Sequence, residues 1–165
     1  STPLYSSAAS DVYKRQEQMM YNDISEVQLP QQFKYGSQQD IVVRSYYQFT
    51  ADNRIYFDAH HYRDLIDHEY RLTIDIQSPV NAYGLAIDFF DIDEIDYQYI
   101  HPKLDGQLIN NTLISMNTTA ENIANWFWEQ FKHHLPSGHH ICRLELAETA
   151  QHSVILDSRL NYKRV

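Results

Sequence analysis

The stretch "FDAHHYRDLIDHEYRLTIDIQ", residues 57–77, decides how this chain folds. Its second part, from His68, alternates, with Tyr70, Leu72, Ile74 and Ile76 on one side and polar residues between them, the pattern of a half-buried strand. Its first part sets histidines at either end of a tight acidic loop, His60 and His61 before it and His68 after it. Antiparallel segments with imidazoles at both ends of a turn suit a metal ion, while the plainer alternative is solvated side chains at a hairpin end.

Upstream, "DIVVRSYYQF" (40–49) and "RIYFDAHH" (54–61) are rich in β-branched and aromatic residues, and Ala51, Asp52 and Asn53 between them predict a hairpin turn. Downstream, "LAIDFF" (85–90) reads as a short strand after the turn "SPVNAYG". Asp91 or Asp93 then caps a helix whose Ile92, Ile95 and Tyr99 repeat at helical spacing and which Pro102 helps to end. "NTTAENIANWFWEQFKHHL" (117–135) is the clearest helix, with Thr118 or Thr119 as N-cap and an apolar stripe of Ile123, Ala124, Phe127, Trp128 and Phe131. "HHICRLELAET" (139–149) alternates again, Ile141, Arg143 and Glu145 opposite Cys142, Leu144 and Leu146, and "HSVIL" supplies a last strand. Strands, then helices, then strands place the chain in the α+β class.

At 165 residues with 43% hydrophobic residues, one core-bearing domain is the expectation. A formal charge of -9 argues against a nucleic-acid or anionic-membrane surface and favours a small ligand or a second copy of the chain. Cys142 is the only cysteine and forms no intramolecular disulfide, and no apolar run reaches membrane-span length, so the expected compartment is the cytoplasm. Asp11–Gln16 read as the translation of a transposon end. Residues 1–16 are therefore set aside as a disordered, non-native scar, with 17–37 as an N-terminal extension, 38–157 as the domain and 158–165 as a tail.

The ordered series "FDAHH", "HEYRLTIDI", "GLAIDFFDID", "LDGQLIN", "NTTAENIANWFW" and "LELAET" resembles the 6-pyruvoyl-tetrahydropterin synthase and 6-carboxytetrahydropterin synthase family over roughly residues 38–157. The resemblance implies a tunnelling fold. In it an antiparallel sheet carries two helices on one face, and the sheets of a homo-oligomer join into a barrel with pterin pockets between subunits. It also implies a carbon-carbon lyase acting on 7,8-dihydroneopterin triphosphate in queuosine (7-deazapurine) biosynthesis. The alternatives are a pterin-binding homologue without turnover, or a tunnelling-fold protein for another planar heterocycle.

Site residues follow from the same resemblance. The family holds zinc with one histidine in F-x-x-x-H and two in H-x-H; Phe57 leads to His61, and His68 matches the second histidine of the pair, but Ile66 stands at the first. His60 or Asp67 is the substitute third ligand, since a catalytic zinc takes three protein ligands. The family's loop cysteine is absent, and Cys142 reads as a small buried apolar residue. The L-D-H relay is "LDG", keeping Asp105 as the catalytic group and placing Gly106 at the histidine. Glu148, followed by Thr149, matches the carboxylate that accepts two parallel hydrogen bonds from a pterin, and Thr119 matches a threonine near the pocket. Asp88 matches a family aspartate expected to play a structural hydrogen-bonding part.

Overall fold

The computed structural model describes residues 23–37 and 39–163. The scar read at 1–16 lies outside the described residues. The chain divides into two compact units between Phe33 and Lys34. In the first, Ile24–Glu26 form a single 3-10 turn capped by Asp23, whose carboxylate accepts the Ser25 N–H at 2.9 Å.

The second unit is built on β1 (Asp40–Tyr56), β2 (Tyr62–Pro79), β3 (His140–Ala147) and β4 (Ser153–Asp157), hydrogen-bonded in the order β1-β2-β3-β4. Every pair is antiparallel. The expected turn at 51–53 does not form. Those residues continue β1, and the hairpin closes at its tip, where the Phe57 N–H donates to the His61 carbonyl at 2.8 Å. Burial is the reason, since Ala51 and Asn53 are each 2% exposed and belong to the inner face. The turn-like chemistry instead supports a β-bulge. Ala51 pairs with His68 and Asn53 with Leu65, so Asp52 faces both Ile66 and Asp67. Asp67 takes the left-handed conformation (φ 47°), and its N–H donates to the Asp52 carboxylate at 2.8 Å.

A second bulge corrects the alternation read in the late strand. Ile141 pairs with Ile76 and Arg143 with Asp75, leaving Cys142 as the extra residue. Ile141 therefore joins Leu144 and Leu146 in the core instead of opposing them. Cys142 is half-buried, and burial pushes its thiol above the usual range.

"LAIDFF" is not a strand. Asp88 accepts the Phe90 N–H at 2.9 Å and caps helix α1 (Phe89–Ile95), so the helix begins before the expected caps Asp91 and Asp93. Helical winding continues through a π turn, Asp96–Ile100, into α2 (His101–Leu104). Pro102 lies in the first turn of α2, directly after the π turn, and does not end the helical run. A short α3 (Ile109–Thr112) precedes α4 (Ala120–His134), whose N-cap Thr119 accepts the Asn122 N–H at 3.2 Å.

The helices pack on one face of the sheet. Phe49, Tyr70, Leu72, Ile74, Ile76, Leu144 and Leu146 meet Ile92, Ile95, Ile123, Ala124, Phe127 and Phe131 in one cluster. The rings of Phe49 and Tyr70 stack with centroids 4.8 Å apart, and Phe127 tilts against Phe49 at 5.9 Å. On the opposite face, register aligns Arg44, Asp75, Arg143 and Asp157 in a row of alternating charge across the four strands. Arg44 grips Asp75 with two bonds of 2.6 and 2.9 Å.

β1 is an edge strand, and side chains occupy the outward edge of its second half. Asp105 accepts the Thr50 N–H at 3.0 Å, and the Gln107 carbonyl accepts that of Asp52 at 2.9 Å. The Asn110 and Asn117 amides each bond both the N–H and the carbonyl of Arg54 and Tyr56, respectively. These amides stand in for a neighbouring strand. Phe127 is fully buried between α4 and the sheet. Phe127→Ala is expected to cost about 3–5 kcal/mol of folding stability, read as a lower urea midpoint at unchanged slope.

Candidate functional site

The hairpin tip holds His60 and His61. Both backbone N–H groups donate to one Asp58 carboxylate oxygen at 2.7 and 2.8 Å, and the His61 Nδ1 lies 2.7 Å from the other. The His61 side chain is 75% exposed. This is the solvated hairpin-end arrangement.

His68 sits elsewhere. It lies beside the bulge, paired with Ala51, whereas His61 lies beyond the last pair, Tyr56 with Tyr62. At about 3.3 Å per strand residue, the two histidines are roughly 20 Å apart along the strand. Two imidazoles so placed do not share an ion, and the expected His61–His68 ligation is not met within the protomer. The substitute ligands do not repair it. His60 stays with His61 at the tip, and Asp67 is exposed in the bulge. Among the described residues no group of three or more His, Cys, Asp or Glu is placed to hold a metal ion. The donor set does not fit a zinc centre.

The structure does bring His68 to Glu148. Its Nε2 meets the Glu148 backbone carbonyl at 2.5 Å, joining the bulge of β2 to the end of β3. The imidazole also lies edge-on to Tyr70, ring centroids 4.7 Å apart. Glu148 is half-buried, and its charge reaches the Tyr70 hydroxyl, which burial first and Glu148 second push up to about 12. Thr149 holds the turn into β4, its Oγ1 accepting the N–H groups of Gln151 and His152 at 3.2 and 3.0 Å. Thr119 caps α4, as read from the sequence.

Asp105 faces a cavity of about 250 Å³ lined also by Thr50, Asp52, Asp67, Gly106 and Gln107. One of its oxygens takes the Thr50 N–H, and the other lies 3.3 Å from the His101 Nε2. The second ring nitrogen of His101 lies 3.8 Å from Asp96. Sequence reasoning missed His101; its i,i+4 spacing to Asp105 on a helical run was the available signal.

The model of one protein family, 6-pyruvoyl tetrahydropterin synthase, matches residues 42–159. The chain belongs to this family. Solved structures share its fold. A 6-pyruvoyl tetrahydropterin synthase from Caenorhabditis elegans superposes with a TM-score of 0.62 at 13% identity, covering 75% of this chain and 99% of that one. The Plasmodium falciparum 6-pyruvoyl tetrahydropterin synthase gives 0.54 at 14% identity, covering 72% and 98%. An uncharacterized protein from Wolinella succinogenes gives 0.57 at 12%, covering 72% and 98%. No curated protein matches the sequence. The four-stranded antiparallel sheet with its helices is the pterin synthase fold. Among the described residues, no helix is long and apolar enough to cross a membrane.

Gly106 stands at the position where the resemblance puts a relay histidine. It adopts φ 70°, a conformation that disfavours side chains, although nothing lies within 4 Å of where a Cβ would be. His101 reaches Asp105 from one helical turn upstream instead. Behind it, burial pushes the Asp96 carboxyl up to about 6 against the pull of His101, with Asp93 adding to the rise. A carboxyl with a folded pKa above its unfolded value of about 4 loses native stability as pH rises through this window, and the penalty is complete above about 6. Asp96→Asn is therefore expected to raise the melting temperature at about pH 7.5 and to leave it unchanged near pH 3, where both states of the wild type are protonated. Thermal melts of both proteins at the two pH values check this.

Proposed function

We propose that this pterin synthase family member binds a pterin edge-on through Glu148, in a groove completed by a neighbouring copy of the chain. The observation that supports the reading is the contact of the His68 Nε2 with the Glu148 backbone carbonyl, which holds the Glu148 backbone beside the bulge of the β1–β2 hairpin. A carboxylate offers two oxygens at the spacing of the pterin 2-amino group and ring N–H, so charge-assisted parallel bonds fix both position and orientation. Thr149 fixes the turn behind the anchor, and Thr119 contributes from the start of α4.

The bonding of Asp105 favours a catalytic form of this reading. With one oxygen held by Thr50 and the other beside His101, the carboxylate is presented to its cavity in a single orientation. In that form the protein is a carbon-carbon lyase of the 6-carboxytetrahydropterin synthase type. It acts on 7,8-dihydroneopterin triphosphate in queuosine biosynthesis, with Asp105 moving a side-chain proton. The non-catalytic form keeps Glu148 and the fold alone.

Glu148→Gln exchanges one acceptor oxygen for a donor and removes the charge, so pterin affinity is expected to fall about tenfold to a hundredfold. Titration of pterin fluorescence measures it, and undiminished affinity in the variant would place the anchor elsewhere. Incubation with 7,8-dihydroneopterin triphosphate, following triphosphate and acetaldehyde together, separates the two forms. Release that disappears in Asp105→Asn supports the lyase, and binding without release supports the non-catalytic form.

A further inference from the structure

The hairpin register identifies which residues occupy the positions where the family's zinc ligands are expected. Opposite His68 stands Ala51, and beside it Asn53 pairs with Leu65. Residues Phe49, Thr50, Ala51, Asp52 and Asn53 therefore repeat the F-x-x-x spacing on the strand that faces His68, and they end on asparagine. "FDAHH" carries the same spacing out at the tip, away from the bulge. Ile66 holds the first place of H-x-H and is 70% exposed. Of three positions suited to imidazoles, only His68 retains one.

Asn53 is not a spare ligand. It is 2% exposed, and Tyr70 and Thr118 are fully buried around it. Its Nδ2 donates to the Tyr70 hydroxyl at 3.0 Å and to the Thr118 carbonyl at 2.8 Å, and its Oδ1 accepts the Thr118 Oγ1–H. Asn110 adds an Nδ2 bond to the Thr118 Oγ1 at 3.3 Å. Both amide hydrogens are used and the oxygen is engaged, so the cluster is closed on itself. It joins β1, β2 and the segment entering α4. His68 in turn uses Nε2 on the Glu148 carbonyl.

We propose that this chain has exchanged the zinc centre of its family for a metal-free hydrogen-bonded lock of Asn53, Tyr70 and Thr118, in which His68 acts as a positioning residue for Glu148. A satisfied buried amide and hydroxyl cluster stitches the strands where an ion would otherwise do so. His68, no longer needed as a ligand, ties the end of β3 to the bulge and sets the direction of the anchor carboxylate. The second half of this proposal rests on the pterin reading of Glu148, whereas the first half stands without it.

The test uses the full chain, stripped of metal with a chelator, and zinc chloride as the probe. A ligand that binds only the native state raises the melting temperature. Zinc is expected to leave the melting temperature of the wild type unchanged, and any zinc retained after dialysis is expected to be the same in His68→Ala, as for ions on exposed histidines. One zinc per chain that raises the melting temperature and is lost in His68→Ala would overturn the lock. In the second arm, pterin fluorescence titration is expected to show about a tenfold loss of affinity in His68→Ala, with recovery in His68→Gln, whose amide N–H can reach the same carbonyl. Full affinity in His68→Ala alongside lost affinity in Glu148→Gln would overturn the positioning role and leave the anchor standing. Full affinity in both would overturn the anchor and the positioning role together, and the metal arm would still decide the lock.

Discussion

One hydrogen bond organises the region on which the rest depends: the Asp67 N–H to the Asp52 carboxylate, closing the β-bulge in the long hairpin. Because side chains alternate with period two along a strand, one extra residue decides which face every later residue presents. Below the bulge, Tyr70, Leu72, Ile74 and Ile76 face the helices and bury completely or almost so. At the bulge itself, His68 turns to meet the end of β3. A flat hairpin would put either the core or this contact on the wrong side.

The buried polar groups obey the same constraint. Asn53 enters the inner face in a stretch that reads as a turn, and burying its amide is tolerable only because Tyr70 and Thr118 saturate it. Among the described residues, no buried side-chain nitrogen or oxygen lacks a partner. The edge of β1 is handled in like manner, since Asp105, Asn110 and Asn117 provide the bonds that a further strand would have made. Asp105 thus has two loads, as edge cover through one oxygen and as cavity wall with His101 at the other.

The departures from the family pattern form a connected set. Asn53 and Ile66 stand where the proposed register puts metal ligands, and Gly106 stands where the resemblance puts a relay histidine. The Glu148–Thr149 pair of the resemblance is present, and His68 meets the Glu148 backbone carbonyl. What the structure does hold is a carboxylate and imidazole pair one helical turn apart, Asp105 and His101.

Much was legible in the residues alone. The alternation from His68 to Gln77, the apolar stripe from Ile123 to Phe131 and the Thr119 cap follow from local spacing, because period and capping are local physics, and the order of the motifs carried the resemblance to the family. What the chain did not show locally was where the hairpin turns and which residues oppose His68. "ADN" and "FDAHH" are both plausible turn sequences, and only burial of Ala51 in the core and of Asn53 against Tyr70 and Thr118 selects the second. The bulges at Asp67 and Cys142 likewise depend on pairing between strands. Histidine identity was written in the sequence. Whether two histidines can meet was decided by strand register, which comes from packing a sheet against its helices and not from any spacing along the chain.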